Sequence, residues 1–499
     1  MKIFSATQLR TWDQYTIINE PVSSIDLMER ASRACANRIL EITDPQAGFI
    51  IFSGPGNNGG DGFAIAKILS EYDRDVRIFH FNSPTLSKDC KTNRERWENL
   101  GFPVADISGE GQFPGTFEMG KVIIDAIFGT GQTRPLEGIY ASACQAINSA
   151  GLPVIAIDIP SGIFCDESSA HLPHIRANHT LSLQAAKLCF FFPENHDAFG
   201  HVEIIDIGLS REYYDSTEAI FSSIDIKEVK AIVKPRDEYA HKGNFGKALL
   251  LAGSMGMMGA AILAAKACLR SGVGKLFSAT PSDGLTIFQQ ALPEAICITD
   301  KDPGILTSLP PDPGQYQAIG AGPGIGNAPG TRTMIRQVLA AGTKALVLDA
   351  DALNIVAEDQ LLDAVPENTV ITPHIAEFTR LFGTSINDFE RARLAISKAR
   401  EYKIFIILKG RHTLVATPDG KGFFNLTGNP GMAKGGSGDV LTGIITGLAA
   451  QSYPPEDACK IAVFLHGMAG DLARDRYSEH AMLASDIIEE IGPAFKKLV

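Results

Sequence analysis

The chain has 499 residues, more than one ordinary hydrophobic core organises, so two or three domains are expected. Hydrophobic side chains make up 45% and charged ones 20%, the balance of a soluble globular protein. With 45 basic against 57 acidic residues the net charge is −12, which lacks the basic footprint of phosphate-backbone binding and argues against nucleic acid as a partner.

No apolar run approaches the ~18 residues that would span a bilayer, so no membrane partner is expected. The start of the chain reaches Asp13 without an apolar h-region, so no secretory leader is expected either. Cysteines at 35, 90, 144, 165, 189, 268, 297 and 459 form no CxxC pair. That spread suits buried thiols in a reducing, cytoplasmic compartment rather than a disulfide framework or a zinc site.

Short apolar runs alternate with helical patterns throughout, which predicts an α/β architecture with mainly parallel sheets. Strands are expected at Phe49–Ser53, Val76–Phe81, Val122–Asp125, Val154–Asp158, His179–Ser182 and Val202–Ile207. Ser210 to Asp225 is polar and poorly periodic, and divides the chain into residues 1–212, a linker 213–225, and residues 226–499. A second series follows: Ala248–Ala252, Leu276–Ala279, Ala295–Ile298, Gln317–Gly320, Ala345–Leu348, Thr369–Thr372 and Ile404–Leu408. Thr413–Thr417 and Gly422–Asn425 flank Pro418-Asp419-Gly420 as a hairpin. Gly438–Gln451, Pro455–Arg474 and Ala484–Lys496 read as closing helices.

The loop Gly54-Pro55-Gly56-Asn57-Asn58-Gly59-Gly60-Asp61-Gly62 leaves the first strand and opens a helix. Gly54, Gly56 and Gly59 satisfy GxGxxG, but a dinucleotide site wants an acidic residue after the second strand, and here Asn82 stands there. Asp61 would also oppose a docked pyrophosphate. Asn58, Asp125 and Ser161 each follow a predicted strand at its carboxyl end, and an all-oxygen set suits a hard cation. Any one of these loops also reads as plain turn chemistry, with Asp as a helix cap; three together favour a site.

This loop, with Asp125-Ala-Ile-Phe-Gly-Thr-Gly131 and Asp158-Ile-Pro-Ser-Gly162, resembles the NAD(P)H-hydrate epimerase family. The resemblance implies potassium at Asn58, Asp125 and Ser161. It also implies substrate contacts at Asn57, Asn58, Gly59, Gly60 and Asp61, along Gly129-Thr130-Gly131-Gln132-Thr133-Arg134-Pro135, and at Tyr140 and Asp158. The implied reaction interconverts the R and S forms of the hydrated nicotinamide ring. Asp158 is the acid–base candidate, since the reaction must move a proton, with a cap for the following turn as the alternative.

Near the other end stands Asn429-Pro430-Gly431-Met432-Ala433-Lys434-Gly435-Gly436-Ser437-Gly438-Asp439. Small residues ahead of a helix let successive main-chain N–H groups surround a transferring phosphoryl group, and Asp439 is placed to take a proton from a substrate hydroxyl. No Walker sequence occurs at this position. The block resembles the anion hole and acidic residue of ribokinase-like ADP- or ATP-dependent NAD(P)H-hydrate dehydratases. His241–Lys247, Gly259-Ala260-Ala261, Gly322–Gly326, Leu348–Asn354, Thr372–Glu377 and Lys409–Thr413 extend the match.

The resemblance implies hydrate contacts at Ala260, Ala261, Gly322, His374 and Asp439. It implies nucleotide contacts at Lys409, Gly410, Arg411, His412 and Thr413 and along Asn429–Gly438. Lys409 also suits phosphate as a cation at a strand end, and Glu377 is a candidate to meet magnesium through water. His374 reads equally as a helix cap.

Together the two resemblances imply an N-terminal Rossmann-like three-layer α/β/α domain and a C-terminal ribokinase-like α/β domain. The implied activity is repair of NAD(P)H hydrates: epimerisation in the first domain, and dehydration of the S form with ADP, giving AMP and phosphate, in the second. ATP remains open as the co-substrate. The rival reading is a small-alcohol kinase carrying a non-catalytic nucleotide-sensing domain, which leaves Gly54–Gly62 unexplained. A homo-oligomer is expected, with apolar helix surface such as Ile461–Met468 as its interface.

Overall fold

The structure is a computed structural model, which describes residues 1–109, 112–113 and 117–499. The chain forms two compact units: residues 2–219 with 387–389, and residue 1 with 220–386 and 390–499.

The first unit is built on a seven-stranded sheet. Its strands are β1 (Gly48–Ser53), β2 (Val76–Phe81), β3 (Val104–Ile107), β4 (Lys121–Ala126), β5 (Val154–Ile157), β6 (His179–Leu183) and β7 (His201–Ile205). They lie in the order β3-β2-β1-β4-β5-β6-β7, all parallel. Side chains that alternate along a strand fall to opposite faces. Phe49 and Ile51 enter one core with Cys35, Phe63 and Trp97, while Ile50 and Phe52 enter the other with Ala143, Cys144 and Ile147. Helices thus cover both faces, and the layering is Rossmann-like. The order reverses between β1 and β4, and a crevice opens at that point outside the carboxyl ends of the strands.

The helix Ala6–Asn19 borders this crevice. It starts on a capping box in which Ser5 Oγ accepts from the Gln8 amide at 3.2 Å and Gln8 Oε1 accepts from the Ser5 amide at 3.1 Å. Leu9, Trp12 and Thr16 are its buried stripe, and Trp12 Nε1 donates to the Ser210 carbonyl at 2.8 Å.

In the second unit the strands are β8 (Phe221–Ser223), β9 (Lys247–Leu251), β10 (Lys275–Thr280), β11 (Ile296–Thr299), β12 (Ala318–Ala321), β13 (Leu346–Leu348), β14 (Val370–Ile371), β15 (Phe405–Leu408), β16 (Leu414–Ala416) and β17 (Gly422–Phe424). They lie in the order β8-β17-β16-β15-β14-β13-β12-β9-β10-β11. β9 to β15 are parallel, and β16 and β17 form the antiparallel hairpin. The closing helices are Ser437–Ala450, Pro455–Ala481 and Ala484–Lys496.

Three expectations are corrected. The stretch 213–225 is not a bare linker, because it contains part of the helix Arg211–Ser216 and all of β8, which pairs with β17. The helix predicted to end at Arg474 runs on to Ala481, broken only at Ser478, whose φ is 71°. The apolar surface Ile461–Met468 offers no broad interface: Ile461 to Leu465 lie in the unit's own core and Met468 packs against it. Among the described residues no helix is long and apolar enough to cross a membrane.

Candidate functional site

Two sites form, one at the strand ends of each unit. In the first, a cavity of about 560 Å³ opens beside the crevice. Of the predicted residues, Asn57, Asn58, Asp61, Gly129, Thr130, Gly131, Gln132 and Asp158 line it. Gly59 and Gly60 lie behind the wall. A Cβ on Gly59 would stand 1.7 Å from the Gly54 carbonyl oxygen, and one on Gly60 would meet Met28 and Cys90. Thr133, Arg134, Pro135 and Tyr140 are outside the lining, and Tyr140 packs on Phe81 and Phe128 with ring centroids 4.8 Å away in each case.

Asp158 follows β5 with φ of 69°, so the chain turns sharply and no helix is capped there. Its Oδ1 pairs with Lys187 Nζ at 2.6 Å. Its Oδ2 accepts from the Thr130 amide at 2.8 Å and from the Thr130 hydroxyl. Burial would raise its proton affinity, but Lys187 and Thr130 outweigh it and hold the carboxyl below the usual range. Lys187 also donates to Ser182 Oγ and the Leu183 carbonyl, each at 2.8 Å. Asp61 is sealed in the wall with Ser32 Oγ at 3.1 Å, and burial pushes its carboxyl well above the usual range.

Asp125 and Ser161 are bonded to each other: Ser161 Oγ donates to Oδ1 at 2.6 Å and its amide to Oδ2 at 2.8 Å. Neither lines the cavity. Asn58 approaches Asp158 over Gly129, where a Cβ would lie 2.8 Å from Asp158 Oδ2 and 3.3 Å from Asn58 Oδ1. Asn58 Nδ2 is buried without a hydrogen-bond partner.

In the second unit, Gly322, Asp349 and Lys409 directly follow β12, β13 and β15, and His374 lies in the loop after β14; Asp349 and Lys409 reach the start of Ser437–Ala450. Lys409 Nζ stands 2.8 Å from Asp349 Oδ1 and 3.8 Å from Glu377 Oε2. Thr442 donates to Asp349 Oδ2 at 2.7 Å, tying this chain of contacts to the helix. A Cβ on Gly438 would lie 3.4 Å from Lys409 Nζ, so the lysine reaches the helix N-terminus. Burial and then the charge of Asp349, against Lys409, push Asp439 up to about 6. Gly322 has to be glycine, because its φ is 134° and a Cβ would lie 1.8 Å from the Asp349 carbonyl oxygen.

Other predicted residues hold the scaffold. His374 caps the helix Ile375–Phe382: its Nδ1 accepts from Ala376 and Glu377, and Glu377 Oε2 accepts from the His374 amide at 2.8 Å. Ala261 is buried in the helix Met258–Arg270, so only Ala260 of that pair is partly open. Asn429 has both ends of its amide engaged, with the Gly431 amide and with Asp471. Lys434 Nζ donates to the carbonyls of His480 and Met482. Arg411 bridges to the Gly428 carbonyl at 2.9 Å, and His412 and Thr413 share its turn. Toward the helix start Gly435 is exposed and Gly436, with φ of 94° at the cap, and Gly438 are half-buried, whereas Ser437 is buried with its Oγ 3.3 Å from His466 Nε2.

Sequence reasoning missed Asp13 and Lys187 in the first site and Asp349, Thr442 and His466 in the second. Asp349 stands just past a predicted strand, a placement that could have marked it, whereas Lys187 lies well beyond the end of one at Ser182. Asp13, in mid-helix, had no such signal.

A family model described as NAD(P)H-hydrate dehydratase matches residues 248–493, and one described as YjeF-related protein N-terminus matches residues 24–189. The bifunctional NAD(P)H-hydrate repair enzyme Nnr of Moorella thermoacetica is 32% identical over 100% of this chain and 97% of its own. The chain belongs to the bifunctional NAD(P)H-hydrate repair enzymes. That of Vibrio cholerae is 33% identical over 98% of this chain and 97% of its own. A solved ribokinase-like superfamily protein from Enterococcus faecalis is 27% identical, with a TM-score of 0.51, and covers 56% of this chain and 96% of its own. In this repair-enzyme chain the second unit is accordingly the ribokinase-like one.

Proposed function

We propose that the chain restores hydrated nicotinamide cofactors in two steps, with residues 1–212 interconverting the R and S hydrates and residues 226–499 dehydrating the S form with ADP. The observation that carries the second step is Asp439 in the first turn of Ser437–Ala450, with Lys409 reaching the same helix end. Asp439 takes the proton of the ring hydroxyl as that oxygen attacks the terminal phosphorus of the nucleotide. The main-chain amides of Gly435 to Gly438 and the Lys409 charge stabilise the moving phosphoryl group. Phosphate then leaves with the ring carbon–oxygen electron pair, and loss of a neighbouring proton restores the reduced ring. In this reading Gly322, Ala260 and the exposed edge of His374 take the hydrate. Lys409 to Thr413 hold the nucleotide. Magnesium would enter on the nucleotide phosphates and meet Glu377 through water, since that carboxylate is already engaged by His374 and Lys409.

Potassium fits the first domain. Asp125 is fully buried with no ion pair among the described residues, and burial pushes its carboxyl up to about 6, despite its bonds to Ser161 and Ile127. A monovalent cation held by Asp125, Ser161 and Asn58 would neutralise that charge and fix the two strand-end loops. Asp158 and Lys187 set the polarity of the adjoining cavity.

The test is recovery of reduced-nicotinamide absorbance from a mixed hydrate pool, with ADP and ATP compared. Wild type should recover the whole pool, and Asp439→Asn none of it. Full recovery by Asp439→Asn would remove the second-domain assignment, and recovery of the S fraction alone by wild type would remove the first.

A further inference from the structure

We propose that Asp13, on the helix Ala6–Asn19, is the residue that carries the proton in epimerisation, and that Asp158 sets the charge of the site without exchanging a proton. The inference rests on the first domain's proposed epimerase role and gives that site its reacting side chain.

Three carboxylates belong to the cavity, and their surroundings separate them. Asp158 is pinned through both oxygens, and protonating it would break a buried ion pair. Its partner Lys187 is 1% exposed and has all three donors engaged, by Asp158, Ser182 and Leu183, so it is no freer to act. Asp61 is sealed against Ser32. Of the three, Asp13 is the exposed one, whereas Asp61 and Asp158 are buried, and it makes no hydrogen bond or ion pair among the described residues. The charged groups facing it are Arg10 from its own helix, Asp61 from the helix Asn57–Glu71, Asp158 beyond β5, and Lys187 beyond β6. The helix Ser24–Ile42 contributes Ser24 and apolar residues to the lining. The cavity walls and then the Asp158 charge, opposed by Lys187, push Asp13 up to about 6, close to the affinity a proton shuttle needs at neutral pH.

The hydrated ring carries its hydroxyl on a carbon bonded to the ring nitrogen. Ionised Asp13 takes the hydroxyl proton, the carbon–oxygen bond becomes a carbonyl, and the carbon–nitrogen bond breaks. Its electron pair goes to the nitrogen, where it is conjugated with the ring carboxamide. Asp13 then returns the same proton to that nitrogen. Rotation of the open aldehyde and the reverse steps close the ring on the other face. Nothing is oxidised, reduced or consumed.

The experiment follows conversion of purified R hydrate into S by the full chain without nucleotide, for wild type, Asp13→Asn and Asp13→Ala. Each variant should lose about 10²–10⁴-fold in rate, the usual worth of acid–base catalysis. Formate should restore part of the Asp13→Ala rate and leave wild type unchanged, a response that a misfolded or merely structural variant would not give. Because the ionised carboxylate acts, the wild-type rate should fall as pH drops through about 6, and the residual Asp13→Asn rate should lack that fall. Wild-type conversion with an unimpaired Asp13→Asn, or with an Asp13→Ala deaf to formate, would overturn this inference alone. Absence of conversion by wild type would overturn the epimerase reading and the inference with it.

Discussion

The two glycine-rich segments look alike on paper and do opposite things in the fold. In Gly54–Gly62 every glycine except Gly56 is consumed by packing: a Cβ on Gly54 would lie 1.9 Å from the Ile127 carbonyl oxygen, and one on Gly59 is barred by Gly54 itself. The loop fixes Asn57, Asn58 and Asp61 at the edge of a cavity that holds three carboxylates and one buried lysine. In Asn429–Gly438 the leading half is scaffold, while Gly435 meets nothing within 4 Å and Gly438 faces Lys409. A run of glycines therefore does not specify anion binding. What specifies it is open main-chain amides at a helix start together with a cation across from them.

The contrast can be attacked from its strongest point downward. Asp439→Asn should lower dehydration of the S hydrate by about 10²–10⁴-fold while R-to-S exchange stays measurable; parallel loss of both activities would mean the two sites are not separate. Lys187→Met leaves Asp158 buried without its counter-ion and should destabilise the first domain by about 3–5 kcal/mol in urea unfolding. The double variant Lys187→Met with Asp158→Asn should regain much of that stability, and a double variant no better than the single would show that the charge was not the cause. Gly322→Ala drives a methyl group into the Asp349 carbonyl at positive φ and should cost about 1–3 kcal/mol in the second domain; an unchanged thermal midpoint would contradict the close approach. Potassium should raise the first domain's unfolding midpoint by a few degrees, through selective binding to the folded state. Asp125→Asn should abolish that rise, and an equal response to sodium would argue for general ionic strength.

Much of the architecture could be read in advance, because strand-length apolar runs and turn chemistry are local signals. The strands that escaped are short: besides Lys2–Ile3, Val104–Ile107 carries Asp106, bonded to Arg94, and Phe221–Ser223 sits in a serine-rich polar stretch. The sites were half legible. Asn58, Asp158, Lys409 and Asp439 sit at strand ends or in first helical turns within segments whose composition announces them. Asp13 and Lys187 reach the cavity only because topology brings residues 13, 58, 130, 158 and 187 together outside the carboxyl ends of the strands, which no local pattern records. The opposite error is just as physical. Thr133 to Pro135, Asn429 and Lys434 continue a motif, but continuity along a chain does not say which members face the ligand.

Dehydration in the second domain depends on the ring hydroxyl leaving as phosphate. An S hydrate carrying isotopically heavy oxygen at that hydroxyl, turned over with ADP, tests this directly by mass analysis of the released products. Phosphoryl activation at the Asp439 end of Ser437–Ala450 predicts the heavy atom in inorganic phosphate. Its appearance in water, with unlabelled phosphate, would contradict that chemistry.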